Sequence, residues 1–167
     1  MKARKTAFLG IFTALAMILS YIEMQIPSFI AIPGIKLGLP NIAIIVVLYK
    51  SGWKEAVSIN LVRVILVSIL FGTVLSLLYS LAGAMLSLAI MILLKKIDKC
   101  STVMVSVTGG ICHNIGQIAV ACFVLKTAEL VYYLPVLLIS GTISGVLIGL
   151  IGAQVVKKLN TTELWLI

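Results

Sequence analysis

Charged residues are scarce in this chain of 167 residues: they form 11% of the sequence, whereas soluble domains carry about a quarter. Hydrophobic residues form 62%, and the mean hydropathy is +1.24. A chain of this length forms one domain, and a domain this small cannot bury so much apolar surface in its own interior. The remaining surface must face lipid. The sequence therefore predicts a single all-α integral membrane domain over residues 1–167.

The residues that several classes of catalytic site require are also missing. Asp98 is the single aspartate, so no aspartate pair exists to hold Mg²⁺ against a diphosphate. No glycine-rich loop ends in Lys-Ser/Thr, which excludes ATP hydrolysis by a P-loop. The three cysteines lack CxxC spacing and the chain has one histidine, which argues against zinc, iron–sulfur and thioredoxin-type sites. We therefore expect no metal site, no required cofactor and no enzymatic activity from this chain alone.

The gaps between charged residues predict the transmembrane helices. An uncharged stretch of about 17 residues is just long enough to cross the ~30 Å hydrocarbon core of a bilayer. A 31-residue uncharged stretch at 64–94 is too long for one helix, so we divide it at Gly72-Thr73 into a tight hairpin. Residues 24–36 contain prolines and a glycine and form either a loop or a re-entrant segment. Six spans result, at residues 6–22, 37–49, 56–71, 74–94, 100–125 and 130–156.

The basic residues predict the orientation of these spans. With both termini in the cytoplasm, ten lysines and arginines lie on the inner side, and only Lys36 and Lys126 lie on the outer side. This is a strong positive-inside bias, and it agrees with an even number of spans. The net charge of +8 therefore reflects topology and anionic lipid headgroups and not nucleic acid binding. We expect a multi-pass protein of the cell membrane.

Five polar residues fall within the predicted spans. Asn60 and Arg63 share a face of the third span, and His113, Asn114 and Gln117 lie near the centre of the fifth. A charged side chain at this depth is costly and must face the bundle interior or a water-filled cavity. Two interpretations remain open. The five residues form hydrogen bonds that hold the helices together, or they line a ligand pocket with Arg63 opposite His113 and Gln117. Asn114 points about 100° away from His113 and is expected to bond a neighbouring helix.

Small residues recur at four-residue spacing in three helices. Such faces let helices approach closely in lipid. In the sixth span (Gly141, Gly145 and Gly149) and the fourth (Ser76, Ser80 and Ala84), packing within the bundle is the favoured interpretation. In the first span two pairs have this spacing, Ala3 with Ala7 and Gly10 with Ala14, and docking to a partner subunit is about as well supported as packing within the bundle.

Several longer strings resemble the Gx transporter family, which is often labelled heptaprenyl diphosphate synthase component I. They are ALAMILSYIE (14–23), PGIKLGLPNIAIIVVLY (33–49), LVRVILVSILFGT (61–73), YSLAGAMLS (79–87), HNIGQ (113–117) and YYLPVLLISGTISG (132–145). The strings extend over nearly the whole chain, and GIKLGLPN and HNIGQ are the most specific. The label implies prenyl transfer, but the chain lacks the aspartate-rich magnesium motifs of that reaction. Asn41, within GIKLGLPN, is added to the candidate ligand-binding residues.

The resemblance implies a function in transport. The family is similar to the substrate-binding S components of energy-coupling factor (ECF) transporters, which have six helices and dock on a transmembrane coupling subunit through small residues of the first helix. Ala3, Ala7, Gly10 and Ala14 are the matching positions. ATPase subunits would then supply the energy. Related proteins are associated with flavin-based extracellular electron transfer in Gram-positive bacteria, which implies a flavin or quinone as the ligand.

Two functions are therefore carried forward. In the first, the chain is a transporter subunit that holds a small ligand with Asn41, Asn60, Arg63, His113, Asn114 and Gln117. In the second, it is a membrane subunit of an electron-transfer assembly that binds a flavin or quinone without moving it.

The orientation can be tested with single cysteines in a background without native cysteines. Lys2→Cys and Lys158→Cys should resist a membrane-impermeant thiol reagent applied to intact cells, because both termini are predicted to lie inside. Lys126→Cys is the matched control and should be labelled. Labelling of either terminal cysteine from outside would contradict the predicted topology.

Overall fold

The computed structural model describes residues 2–26, 37–97 and 100–160. The segment 27–36, which contains most of the predicted loop or re-entrant piece together with Lys36, lies outside the described residues, as does Asp98. Within the described ranges the fold is entirely helical. It contains six α-helices and one 3₁₀-helix at Ala128–Tyr133. The α-helices are α1 (Lys2–Gln25), α2 (Pro40–Lys50), α3 (Trp53–Phe71), α4 (Val74–Lys95), α5 (Thr102–Leu125) and α6 (Leu134–Asn160).

Four of the helices are long and apolar enough to cross a membrane, namely α1, α4, α5 and α6. Helix α3 has 19 residues, and it carries Lys54, Glu55 and Arg63. Helix α2 has 11 residues, a length of about 16 Å at ~1.5 Å per residue. The six predicted helices are therefore confirmed as helices, and membrane-spanning length and composition are confirmed for four of them. The six-span topology and the position of the termini stay predictions.

The hairpin predicted at Gly72-Thr73 is confirmed by its capping geometry. Helix α3 ends at Phe71, and α4 begins at Val74 with Thr73 as its N-cap. The Ser76 backbone N–H donates to Thr73 Oγ1 (3.1 Å), and the Thr73 N–H donates to Ser76 Oγ (2.9 Å). These two bonds form a capping box, which satisfies backbone donors that a helix start leaves unpaired. Ser76, predicted as part of a packing stripe, caps this helix and is half-buried.

Helices α5 and α6 pack at backbone distance through glycine. A β-carbon added at Gly110 would lie 2.5 Å from Gly141 O, and one at Gly145 would lie 2.6 Å from Val107 Cα. One at Gly149 would lie 2.7 Å from a Cα atom of the same helix, α5. No side chain fits at such distances, so the small residues of α6 serve close packing inside the bundle. The predicted role of this stripe is confirmed.

Helix α2 lies in the core of the bundle. Each residue from 43 to 48 is at most 3% exposed, and α1, α3 and α6 all pack against it. A helix that is hydrophobic all round is buried on every side, and the α2 sequence PNIAIIVVLYK has this composition. At about half the thickness of the hydrocarbon core, α2 is a core helix of the bundle that the neighbouring helices cover.

The glycine packing predicts a difference between two alanine substitutions. Gly145→Ala should destabilise the purified monomer by about 1–3 kcal/mol, because its β-carbon would overlap the backbone of α5. Gly10→Ala is the matched control, since a β-carbon there meets nothing within 4 Å. The measurement is the Tm of each variant in mild detergent. Equal Tm values would show that α5 and α6 are not packed at backbone distance.

Candidate functional site

Arg63 and Asn60 form a buried polar pair on α3. Arg63 is 9% exposed and Asn60 is 4% exposed. Arg63 Nη2 donates a hydrogen bond to Asn60 Oδ1 (2.8 Å), and Asn60 Nδ2 donates to the Ala84 carbonyl of α4 (3.4 Å). Arg63 Nε has no hydrogen-bond partner among the described residues. The guanidinium is therefore held in place by α3, and it keeps one buried donor that is not satisfied.

Glu23, near the end of α1, is the acidic residue whose charge acts on Arg63. In the structure the two residues interact electrostatically. Glu23 Oε1 also accepts hydrogen bonds from the backbone N–H groups of Gly38 and Leu39, just before α2. Glu23 thus connects α1 to the residues that precede α2.

His113 and Gln117 lie on the face of α5 that packs against α4. A β-carbon added at Gly83 would lie 2.7 Å from His113 O and 2.8 Å from Gln117 Cγ. It would also lie 3.1 Å from His113 Cε1. The two side chains share this face because they are one helical turn apart. Gly83 immediately precedes Ala84, so the His113–Gln117 pair and the Asn60–Arg63 pair both contact the same turn of α4.

Asn114 faces the other neighbour of α5. Its side chain is 8% exposed, and Nδ2 donates a hydrogen bond to the Leu137 carbonyl of α6 (2.5 Å). A β-carbon at Gly141 would lie 2.7 Å from the same nitrogen. The expectation that Asn114 bonds a neighbouring helix is confirmed. Of the three polar residues in HNIGQ, this one joins α5 to α6.

Asn41 lies apart from these groups, in a cleft between α2, α4, α5 and α6. The cleft contains about 260 Å³ of empty space, including its opening. Its polar side chains are Asn41, Ser87, Ser106 and Ser144, and its glycines are Gly38, Gly109, Gly110 and Gly145. Its apolar lining is Leu37, Ile45, Met91 and Ile148. The sequence alone did not identify the three serines as residues that line a cleft. Ser106 and Ser144 lie close to the glycines in their helices, and this proximity is the signal that could have identified them.

The predicted docking residues of α1 are all on the surface of the monomer. Ala3, Ala7, Gly10 and Ala14 are exposed, and a β-carbon added at Gly10 would meet no atom within 4 Å. We call this set the α1 small-residue face. It contrasts with the small residues of α6, which contact the α5 backbone.

The family model described as heptaprenyl diphosphate synthase component I matches residues 12–155, a range that includes part of every helix. The chain belongs to this family. No curated protein and no solved structure matches it. The family name describes one component of a synthase, which implies that this component acts together with another subunit. The four long apolar helices are consistent with a component that is embedded in a membrane.

Proposed function

We propose that this family member is the small-molecule-binding membrane subunit of a transporter, similar to an ECF S component, and that it docks on a transmembrane coupling subunit. The exposed α1 small-residue face carries this proposal. Small residues promote helix association in lipid because they let two backbones approach closely. In α6 such residues already contact another helix, whereas in α1 they have open space next to them.

The buried polar groups support binding of a ligand inside the bundle. Arg63 Nε is an unsatisfied donor at a buried position, and His113 and Gln117 are half-buried at the same turn of α4. The negative charge of Glu23 acts on Arg63, so a neutral ligand is compatible with this site. The carbonyl edge of a flavin or a quinone ring would accept from the guanidinium without adding a buried charge.

Transport by this chain needs an energy source from elsewhere. The sequence contains no P-loop, so ATPase subunits would act through the coupling subunit. The ligand would enter from the outer face and bind among Asn60, Arg63, His113 and Gln117. It would cross when the partner complex tilts or opens the bundle.

Substitution of the buried polar residues tests the ligand site. Arg63→Ala and His113→Ala should each weaken binding of the copurifying small molecule by about 1–3 kcal/mol, because each removes one partner of a buried polar contact. The double variant should be less than additive, since both residues contact one ligand. The measurement is ligand occupancy by native mass spectrometry in mild detergent.

Two controls separate binding from folding. Ser58→Ala changes an exposed residue of the same helix and should leave occupancy unchanged. Glu23→Gln combined with Arg63→Gln removes both charges together, so no uncompensated buried charge remains. If every variant at Arg63 and His113 shows normal ligand occupancy but a reduced yield of purified protein, these residues only join helices.

The α1 small-residue face can be tested by adding bulk. Gly10→Leu and Ala14→Leu should abolish copurification with a coupling subunit while the monomer stays folded, because a branched side chain would hold the two backbones apart. Ala119→Leu makes a similar change at an exposed position of α5 and should have no effect. Normal copurification of both α1 variants would contradict docking here. A bound redox cofactor with a visible absorbance band and no ATPase partner would instead favour an electron-transfer subunit.

A further inference from the structure

We infer that Tyr79 is a further specificity-determining residue of the site in the proposed function, and that its hydroxyl group forms a hydrogen bond with the bound molecule. The inference rests on that function and narrows the class of ligand. The molecule carries one acceptor for Arg63 and, on a different edge, a second hydrogen-bonding group for Tyr79.

Two buried donors of the α3–α4 hairpin carry this inference. The Tyr79 hydroxyl is buried and has no hydrogen-bond partner among the described residues, and the same is true of Arg63 Nε. Arg63 as a whole is 9% exposed. Buried polar atoms nearly always have a partner, because the hydrogen bonds that they lose to water must be replaced. Two such donors on consecutive helices therefore point to a bound group that both can contact.

The packing of the hairpin places the two residues at nearly the same level. Asn60 of α3 donates a hydrogen bond to the Ala84 carbonyl of α4, which gives the register of the two helices. Arg63 lies three residues from Asn60 toward the turn, and Tyr79 lies five residues from Ala84 toward the same turn. At ~1.5 Å per residue, the two Cα atoms differ in level by about 3 Å. One molecule can therefore reach both side chains.

Tyr79 also lies on the face of α4 that packs against α5. It is one helical turn from Gly83, where an added β-carbon would lie 2.8 Å from Gln117 Cγ and 3.1 Å from His113 Cε1. Residues four apart in a helix share a face. Tyr79 is therefore adjacent to the His113–Gln117 pair, on the side nearer the turn between α3 and α4.

The directions of the two side chains indicate the length of the ligand. Long side chains of a helix lean toward its N-terminus, so the Tyr79 hydroxyl is displaced toward the turn of the hairpin. The hydrogen bond to Asn60 draws the Arg63 guanidinium the opposite way. The two donors are then separated along the hairpin by about 5–10 Å, or one to two helical turns. A ring compound with polar groups on two edges fits this separation, whereas a small molecule with one polar group does not.

Tyr79→Phe tests the inference, because it removes the hydroxyl and keeps the ring. Lumiflavin and menadione, a flavin and a quinone, are the probes, with the protein in lipid nanodiscs and empty nanodiscs as the partition control. We expect saturable binding of at least one probe to the wild-type protein. For that probe, Tyr79→Phe should weaken binding between about two- and tenfold, the loss that goes with one hydrogen bond. The Tm of the ligand-free protein should stay the same or rise, because the hydroxyl forms no hydrogen bond within the described residues.

Tyr49→Phe is the matched control. Tyr49 is a second tyrosine with a buried hydroxyl, but it lies at the far end of α4, where Lys95 Nζ is 5.2 Å from its ring centre. Probe binding to this variant should equal that of the wild type. A loss of binding as large as in Tyr79→Phe would overturn the inference.

Arg63→Ala separates this inference from the proposed function. Weaker probe binding in Arg63→Ala together with wild-type binding in Tyr79→Phe would overturn the role of Tyr79 and leave the ligand site in place. A lower Tm of Tyr79→Phe with unchanged probe binding would assign the hydroxyl to folding and also overturn the inference. No saturable binding of either probe to the wild type would overturn both proposals.

Discussion

The buried positive charge of Arg63 is the constraint on which half of the bundle depends. A guanidinium inside a membrane protein requires an opposite charge and hydrogen-bond acceptors nearby. Asn60 supplies an acceptor from the same helix, and the charge of Glu23 on α1 acts on the guanidinium from a second helix. The Glu23 carboxylate also accepts hydrogen bonds from the backbone just before α2. Asn60 donates a hydrogen bond to the Ala84 carbonyl of α4. The groups around one buried cation thus connect α3 to α4 through Asn60 and α1 to the start of α2 through Glu23.

The bundle joins its helices in two different ways. Helices α4, α5 and α6 pack at backbone distance: Gly83 and Gly116 bring α4 against α5, and Gly110 and Gly141 bring α5 against α6. Helices α1 and α3 are instead linked by side chains, through the Lys5–Glu55 ion pair (2.5 Å) and the interaction of Arg63 with Glu23. Backbone packing leaves little room for adjustment, whereas long side chains can change rotamer. The cleft lies where α2 meets the glycine-packed helices.

The sequence predicts what depends on spacing within one helix. The hairpin break at Gly72-Thr73, the packing stripe of α6 and the separate direction of Asn114 all follow from helical periodicity and local turn chemistry. The influence of Glu23 on Arg63 does not follow from spacing, because the two residues lie on different helices and their proximity depends on how α1 and α3 pack. The cleft serines could not be grouped either: Ser87, Ser106 and Ser144 lie on three helices, and their convergence is set by helix packing. Serine is also common in membrane helices, so no single position stands out.

Helix α1 connects the outer surface of the bundle with its interior. Its small-residue face remains exposed at no energetic cost in lipid, because lipid chains cover apolar helix surface as well as another helix would. Near its other end, Glu23 holds the backbone of Gly38 and Leu39, and Gly38 lines the cleft. A partner that docks on the α1 small-residue face and shifts this helix would therefore pull on the start of α2 through one carboxylate. The same carboxylate interacts with Arg63, so the shift would also alter the charge balance around the buried guanidinium. In the proposed function, docking at the surface and binding in the interior would thus be linked through Glu23.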